Sequence, residues 1–201
     1  NIVFSPYSIN TVLMMCYSGA GSTTAEQMRD VLYLPAEAET NPASKELKDR
    51  ILSADTLPGT EISLANAIWA QANFHFLPEY IADIQKWYDA PLTDMDFVNV
   101  DSREEGRMKI NQWVERNTRE KIKDLIGPGV LDASTRMVLT NAIYFNGKWQ
   151  WSFDKSLTSP SIFHVSPDES LMTDFMHLTR ILPYYEDEEL QAIRLPYQGE
   201  R

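Results

Sequence analysis

Ser18 and Ser22 bracket Gly19-Ala20-Gly21, a glycine-rich stretch where a serine hydroxyl could attack a carbonyl if a base stood beside it. The elbow that activates such a serine reads G-x-S-x-G, a pattern found nowhere in the chain, so a helix C-cap is the better account. Asp94 and Asp96 could form an acid/base pair of the glycosidase kind. No aromatic sugar platform can be assigned beside them, and a solvated strand edge is the simpler reading. His75, His164 and His177 lie in separate segments without the H-x-x-x-H or H-E-x-x-H spacing of a metal site. The acidic run EDEE at 186–189 could attract calcium or a basic partner, but it reads as a solvated turn between two strands. Cys16, the only cysteine, falls on the expected apolar face of a helix, where a small buried hydrophobe is the simpler role. A phosphate-cradling GxxxxGK[ST] is absent, and no cofactor is implied.

Composition narrows the classes further. The chain has 201 residues, 43% of them hydrophobic and 23% charged, as in an ordinary globular protein with ample core. Its net charge of −11 opposes non-specific nucleic-acid binding, which needs a basic face to displace counterions. No apolar run approaches the ~20 residues that span a bilayer, so no membrane partner is expected. The chain opens at Asn1 rather than Met and ends just after a predicted turn at Gln198-Gly199, so it reads as part of a longer protein.

These side chains must be carried by a mixture of helices and strands. Ser5-Pro6 opens a helix with a cap and a first-turn proline, and Ile9, Val12, Leu13, Cys16 and Tyr17 form its expected buried stripe. A second helix, capped by Thr23 or Thr24, runs through Met28, Val31 and Leu32 and ends before Pro35. Residues 36–44 read as a polar loop, followed by a short helix over 45–52. Residues 61–72 read as a strand, Pro78 opens a helix through Ile81, Ile84 and Trp87, and 93–97 form a short edge strand. A helix follows over 103–120, with Ile110, Trp113 and Val114 on one face and Asn117 as the polar member of that stripe. Gly127-Pro128-Gly129 breaks the chain before residues 135–153, TRMVLTNAIYFNGKWQWSF. This last segment reads as a central strand covered on both faces, then a turn at Asn146-Gly147 and three aromatics, Trp149, Trp151 and Phe153, at period two. Asn141 inside it needs hydrogen-bond partners, since an unsatisfied buried polar group costs about 1–3 kcal/mol. Further strands are expected at 163–165, 171–178, 181–185 and 190–197. The class is one interlocked α+β domain.

Three of these segments, in order, carry a family resemblance. TNAIYFNGKWQWSFD resembles the NAIYFKGxWxxxFD signature of serpins. INQWVERNTREKI over 110–122 is similar to their INxWVexxTxgKI helix, and NIVFSPYSI over 1–9 to their NxxFSPxSI opening. The resemblance implies the serpin fold of mixed β-sheets surrounded by helices, with residues 1–201 a single domain incomplete at both ends. Departures are few: Ser22 stands where GAxGxT has its second glycine, Asn146 replaces Lys, and Asp174-Phe175-Met176 replaces paired methionines.

The resemblance also implies a function. Serpins act on serine proteases, with cysteine proteases as a further class, as suicide substrates. The protease cleaves an exposed loop, and that loop inserts into the main sheet. The reactive bond lies outside these residues, so the target protease is unspecified. Positions matching Ser5, Ser8 and Asn141 belong to the region beneath the sheet where strands part. Trp149 matches the tryptophan where the loop enters, and the helix with Ile110, Trp113 and Asn117 lies over the sheet. A non-inhibitory carrier, chaperone or storage protein is the alternative; a hydrolase is a third reading without a nucleophile–base constellation. Some serpins bind heparin near Lys45, Lys48 and Arg50, but interleaved Glu46 and Asp49 oppose that here. Most relatives are secreted, which implies an extracellular location.

Overall fold

The computed structural model describes residues 4–35 and 37–199; the first three residues of the opening motif and Ala36 of the expected loop lie outside them. Helix α1 spans Pro6–Tyr17. The Ser5 Oγ accepts the Ser8 N–H at 3.1 Å and proline stands at the first turn, as the sequence predicts. Its buried face is not the expected one. Thr11, Met14, Met15 and Tyr17 are buried, whereas Ile9 and Cys16 are exposed. A helix apolar nearly all round has two possible inner faces, and periodicity cannot choose between them. Helix α2 spans Ser22–Leu32, and none of its residues is buried, Met28 and Val31 included. It starts behind Gly21 rather than behind a threonine cap.

Helix α3 spans Glu37–Ser53 and so replaces most of the expected polar loop. Pro42 inside it removes one backbone donor. Tertiary anchors just before it hold the turn: Thr40 is buried, and Asn41 accepts hydrogen bonds from Ser18 and Tyr88. Strand β1 spans Thr60–Gln71, helix α4 Pro78–Tyr88, strand β2 Leu92–Met95, helix α5 Val100–Asn117 and strand β3 Met137–Gly147. The three strands form one sheet in the order β2-β1-β3. β2 is parallel to β1, pairing Ile68 with Leu92 through Gln71 with Met95, as a strand reached through the helical crossover α4 can be. Gln71 bonds to Arg136 and Asn66 to Asn141, so β1 and β3 run antiparallel.

The central strand is therefore β1, and β3 lies at the edge of this sheet among the described residues, not at its centre. The run 137–145 is partly covered on both faces, but an apolar run reports faces and says nothing about which edge is paired. Alternation then sorts the core. Ile68 and Ala70 of β1, with Met137 and Leu139 of β3, pack on α1 and α4 through Met14, Met15, Tyr80 and Ile84. Ala67, Trp69 and Val138 pack on the other side with Phe97, Ile110, Trp113 and Ile126. These elements belong to one compact unit, residues 1–55 and 61–145.

Residues 56–60 and 146–201 form a second unit. It holds an antiparallel hairpin of β4 Ser159–Ser166 and β5 Glu169–Phe175, and a smaller one of β6 Tyr184–Glu186 and β7 Gln191–Ile193. The turn expected at Asn146-Gly147 is absent, because β3 runs through it, and Trp151 and Phe153 are not in a strand. The predicted strands at 181–185 and 190–197 shrink to the two short arms of the second hairpin.

Ser22 has φ +50°, the left-handed region that glycine adopts at least cost. A glycine, which the motif pattern has at this position, would adopt that conformation without the Cβ penalty. Ser22→Gly is expected to raise stability by about 1 kcal/mol, read as a higher denaturation midpoint at unchanged slope. An unchanged or lower midpoint contradicts this.

Candidate functional site

The feature with functional potential is the seam between β1 and β3 and the unpaired edge that β3 presents among the described residues. A residue at 141 points to the α1/α4 face. There the Asn141 Nδ2 donates to Asn66 Oδ1 at 2.8 Å, and Asn66 Nδ2 donates to the Tyr88 carbonyl at 2.8 Å. The Tyr88 hydroxyl donates to Asn41 Oδ1 at 2.7 Å, and the Ser18 Oγ lies 3.0 Å from the same oxygen. One polar chain thus links β3, β1, the end of α4, α3 and the end of α1. Asn141 Oδ1 and Ser8 Oγ are buried and have no partner among the described residues. Ser5 is occupied as the α1 cap, and no hydrogen bond joins either serine to Asn141. Asn66 escaped sequence reasoning, although Asn66-Ala67-Ile68 repeats Asn141-Ala142-Ile143 and could have marked the pair.

Position 140 points the other way. Trp69 Nε1 donates to Thr140 Oγ1 at 3.0 Å, and the Trp69 ring meets Trp113 of α5 edge-on, centroids 5.9 Å apart at 84°. Ile110 and Val114 bury α5 against the sheet as predicted, while Trp113 and Asn117 are half-buried. Asn117 Nδ2 donates to the Trp113 carbonyl at 2.8 Å, a bond within its own helix. The polar group that fastens α5 is instead Asn111, which the sequence pattern did not single out. It donates to the Ile126 carbonyl and accepts the Ile126 N–H, both at 2.9 Å. Arg107 Nη1 donates to the same carbonyl at 2.7 Å. Arg119 pairs with Glu61 and lies over the Tyr144 ring at 5.9 Å.

At the start of β3 the Tyr80 hydroxyl approaches Met137 Sδ at 3.7 Å. A Cβ on Gly19 would stand 2.8 Å from the Tyr80 ring, so only glycine fits there. Burial pushes the Tyr80 pKa up to about 12, with the nearby Cys16 a lesser cause.

In the second unit, Trp149 bridges to Tyr197 and stacks on its ring, centroids 4.6 Å apart at 9°. Lys148 bonds both Gly59 and Gln198 through its backbone, at 2.8 Å each. Gly59 has φ +74°, and a Cβ there would collide with Gln198.

The remaining candidates resolve into structural roles. Ser18 is the C-cap of α1. Asp96 accepts the N–H groups of Asn99 and Val98, which pull its pKa down, so it is an ionised turn cap rather than a raised catalytic acid. Asp187 of the acidic run accepts from Glu189 and Leu190 and closes the β6–β7 turn. His164 contacts Ser170, and His177 contacts Ser159. Although Cys16 is exposed at the surface, desolvation by the side chains around its sulfur raises the thiol pKa, which lowers its thiolate fraction. Lys48 is buried in an ion pair with Asp89, and Lys45 lies 3.7 Å from Asp49. Among the described residues no three His, Cys, Asp or Glu side chains group as metal ligands would, and no helix is long and apolar enough to cross a membrane.

Comparison with known proteins gives a consistent result. The family profile described as Serpin (serine protease inhibitor) matches residues 1–201. An uncharacterised serpin-like protein of Methanosarcina acetivorans is 40% identical over 99% of this chain and 46% of its own length. Leukocyte elastase inhibitor of Sus scrofa is 34% identical over 99% of this chain and 52% of its own. The native stressed conformation of Arabidopsis AtSerpin1 is similar at a TM-score of 0.89 and 28% identity, over 99% of this chain and 51% of that one. Emu ovalbumin is similar at 0.87 and 32%, over 100% and 55%. The chain spans about half the length of the relatives it matches.

The raised Tyr80 pKa gives a signed expectation. An acid whose folded pKa exceeds its ordinary value of 10.0 stabilises the fold below that value and loses the contribution as pH rises through about 12. Ultraviolet titration should show one tyrosine ionising near pH 12, and Tyr80→Phe should abolish that step. A step that survives the substitution refutes the assignment.

Proposed function

Because the chain belongs to the serpin family, we propose that it forms part of an inhibitor of serine proteases that acts as a suicide substrate. The single observation that carries this reading is the polar group inside β3: a long strand, partly covered on both faces, in which Asn141 Oδ1 is buried with no partner among the described residues. A strand whose polar groups can change partners can admit a new neighbour at modest cost. A loop released by protease cleavage is a fitting neighbour, since strand addition completes a ladder of main-chain hydrogen bonds. The protease is left as an acyl-enzyme on the inserted loop, and the uninserted state is a kinetic trap above the inserted one.

In this reading Asn141 and Ser8 serve sheet opening. Their unpartnered oxygens raise the energy of the present arrangement by about 1–3 kcal/mol each, so a change of partners costs little. Ser5 sets the helix that carries Ser8. The helix bearing Ile110, Trp113 and Asn117 must yield, and its polar fastening through Asn111 and Arg107 can be remade. Trp149 is assigned to loop entry by its match to the family pattern alone. The leukocyte elastase inhibitors among the relatives support the choice of a serine protease as partner.

The full-length protein is expected to form an SDS-resistant complex with at least one protease of a trypsin, elastase and subtilisin panel. Digestion by the whole panel without a complex would favour the non-inhibitory carrier or storage reading instead. Asn141→Ala is expected to ease sheet opening and speed heat-induced polymerisation, as followed on native gels. Unaltered polymerisation would remove Asn141 from the opening mechanism.

A further inference from the structure

β3 carries polar side chains at two successive positions, Thr140 and Asn141, which the pleat sends to opposite faces. Each meets a polar side chain on β1: Trp69 on the α5 face, Asn66 on the α1/α4 face. We infer that Trp69 and Thr140 are positioning residues that fix the register of β3 against β1, so that a strand pairing with the open edge of β3 meets a fixed ladder. Only the second half of this inference rests on the inhibitory reading; the register belongs to the chain whatever its activity.

Backbone hydrogen bonds cannot set the register alone, because every residue offers the same donor and acceptor and a slipped ladder can be remade. A slip of one residue would turn every side chain of β3 to the wrong face. A slip of two keeps the faces but brings Val138 or Ala142 to the place beside Trp69 that Thr140 holds, and Leu139 or Ile143 opposite Asn66. None of these side chains accepts or donates a hydrogen bond. One register therefore satisfies both faces.

The Trp69 side of this pin is the less forgiving one. Trp69 is 3% and Thr140 5% exposed, so a broken bond leaves the indole N–H in an apolar layer without water. The Thr140 hydroxyl donates onward to the Ala67 carbonyl at 3.4 Å, which orients its lone pairs toward the indole. Trp113 stands edge-on to the indole ring and hinders its swing toward α5. Asn141 lacks this enclosure, being half-buried with one oxygen already unpartnered.

The test uses the full-length protein with Thr140→Val, which keeps the shape without the acceptor, and Thr140→Ser, which keeps the hydroxyl. Amide hydrogen exchange over residues 66–71 and 137–142 is expected to run about tenfold faster in the valine variant, the effect of one orphaned buried donor, and at the parent rate in the serine variant. Trp69→Phe removes the donor instead and is expected to match the valine variant, so the test survives if one protein fails to fold. With a protease that forms the complex, the ratio of cleaved to complexed protein should rise for Thr140→Val. It should not rise for Ile84→Val, a comparable loss in the opposite core layer. Seam exchange equal in parent and valine variant, or equally fast in serine and valine variants, overturns the register role. Faster exchange with an unchanged product ratio overturns the positioning role. If no protease gives a complex, the inhibitory reading fails while the exchange comparison still decides the register.

Discussion

Where β1 and β3 run between two helical layers, a polar side chain at their centre reaches protein rather than water. That constraint governs the first unit of the molecule. An amide or hydroxyl placed there costs about 1–3 kcal/mol if it finds no partner and returns about 0.5–1.5 kcal/mol net if it does. Asn66 and Asn141 answer it by facing each other, and Trp69 and Thr140 do the same on the opposite side. The consequences spread outward. Asn66 also holds the Tyr88 carbonyl, Tyr88 holds Asn41, and Asn41 receives Ser18 at the end of α1. Helix ends three elements apart are thereby tied to one pair of strands.

The two helical layers are attached differently. Beneath the sheet, α1 and α4 meet it through a close apolar layer in which Met15, Ile68 and Ile84 are fully enclosed. Above it, α5 adds to its apolar contacts a polar fastening at Ile126, where Asn111 and Arg107 converge on one carbonyl. Polar bonds can exchange for water as a helix moves, whereas a close-packed layer loses its contacts with no substitute. The upper layer thus has the fastening that water can replace.

Much of this was legible in the chain. The Ser5-Pro6 start of α1, the strand centred on Asn66, the α4 stripe and the Ile110/Val114 face of α5 follow from local patterns that the fold leaves intact. Asn141 was legible as a polar group requiring a partner, but its partner was not, because the two asparagines lie 75 residues apart. Asn111 was hidden for a related reason. A polar residue beside an apolar stripe looks like surface until a loop at Ile126 folds over it. Thr140 and Trp69 each look ordinary in their own strand, and only their meeting across the sheet gives them a role.

Three misreadings mark the boundary clearly. The apolar residues of α1 surround the helix, so its inner face depended on which layer packed against it. The stretch around Pro42 became helix because Thr40 is buried and Asn41 is gripped by two distant residues. β3 looked central because its faces are apolar, yet among the described residues it pairs only with β1. The sequence by itself determined the element types, the family likeness and the two-faced character of β3, since these rest on contacts between near neighbours and on side-chain period. Which strands paired, which helix face turned inward and which polar groups found each other were decided only by tertiary structure, because those choices depend on surfaces that adjoin only once the chain has folded.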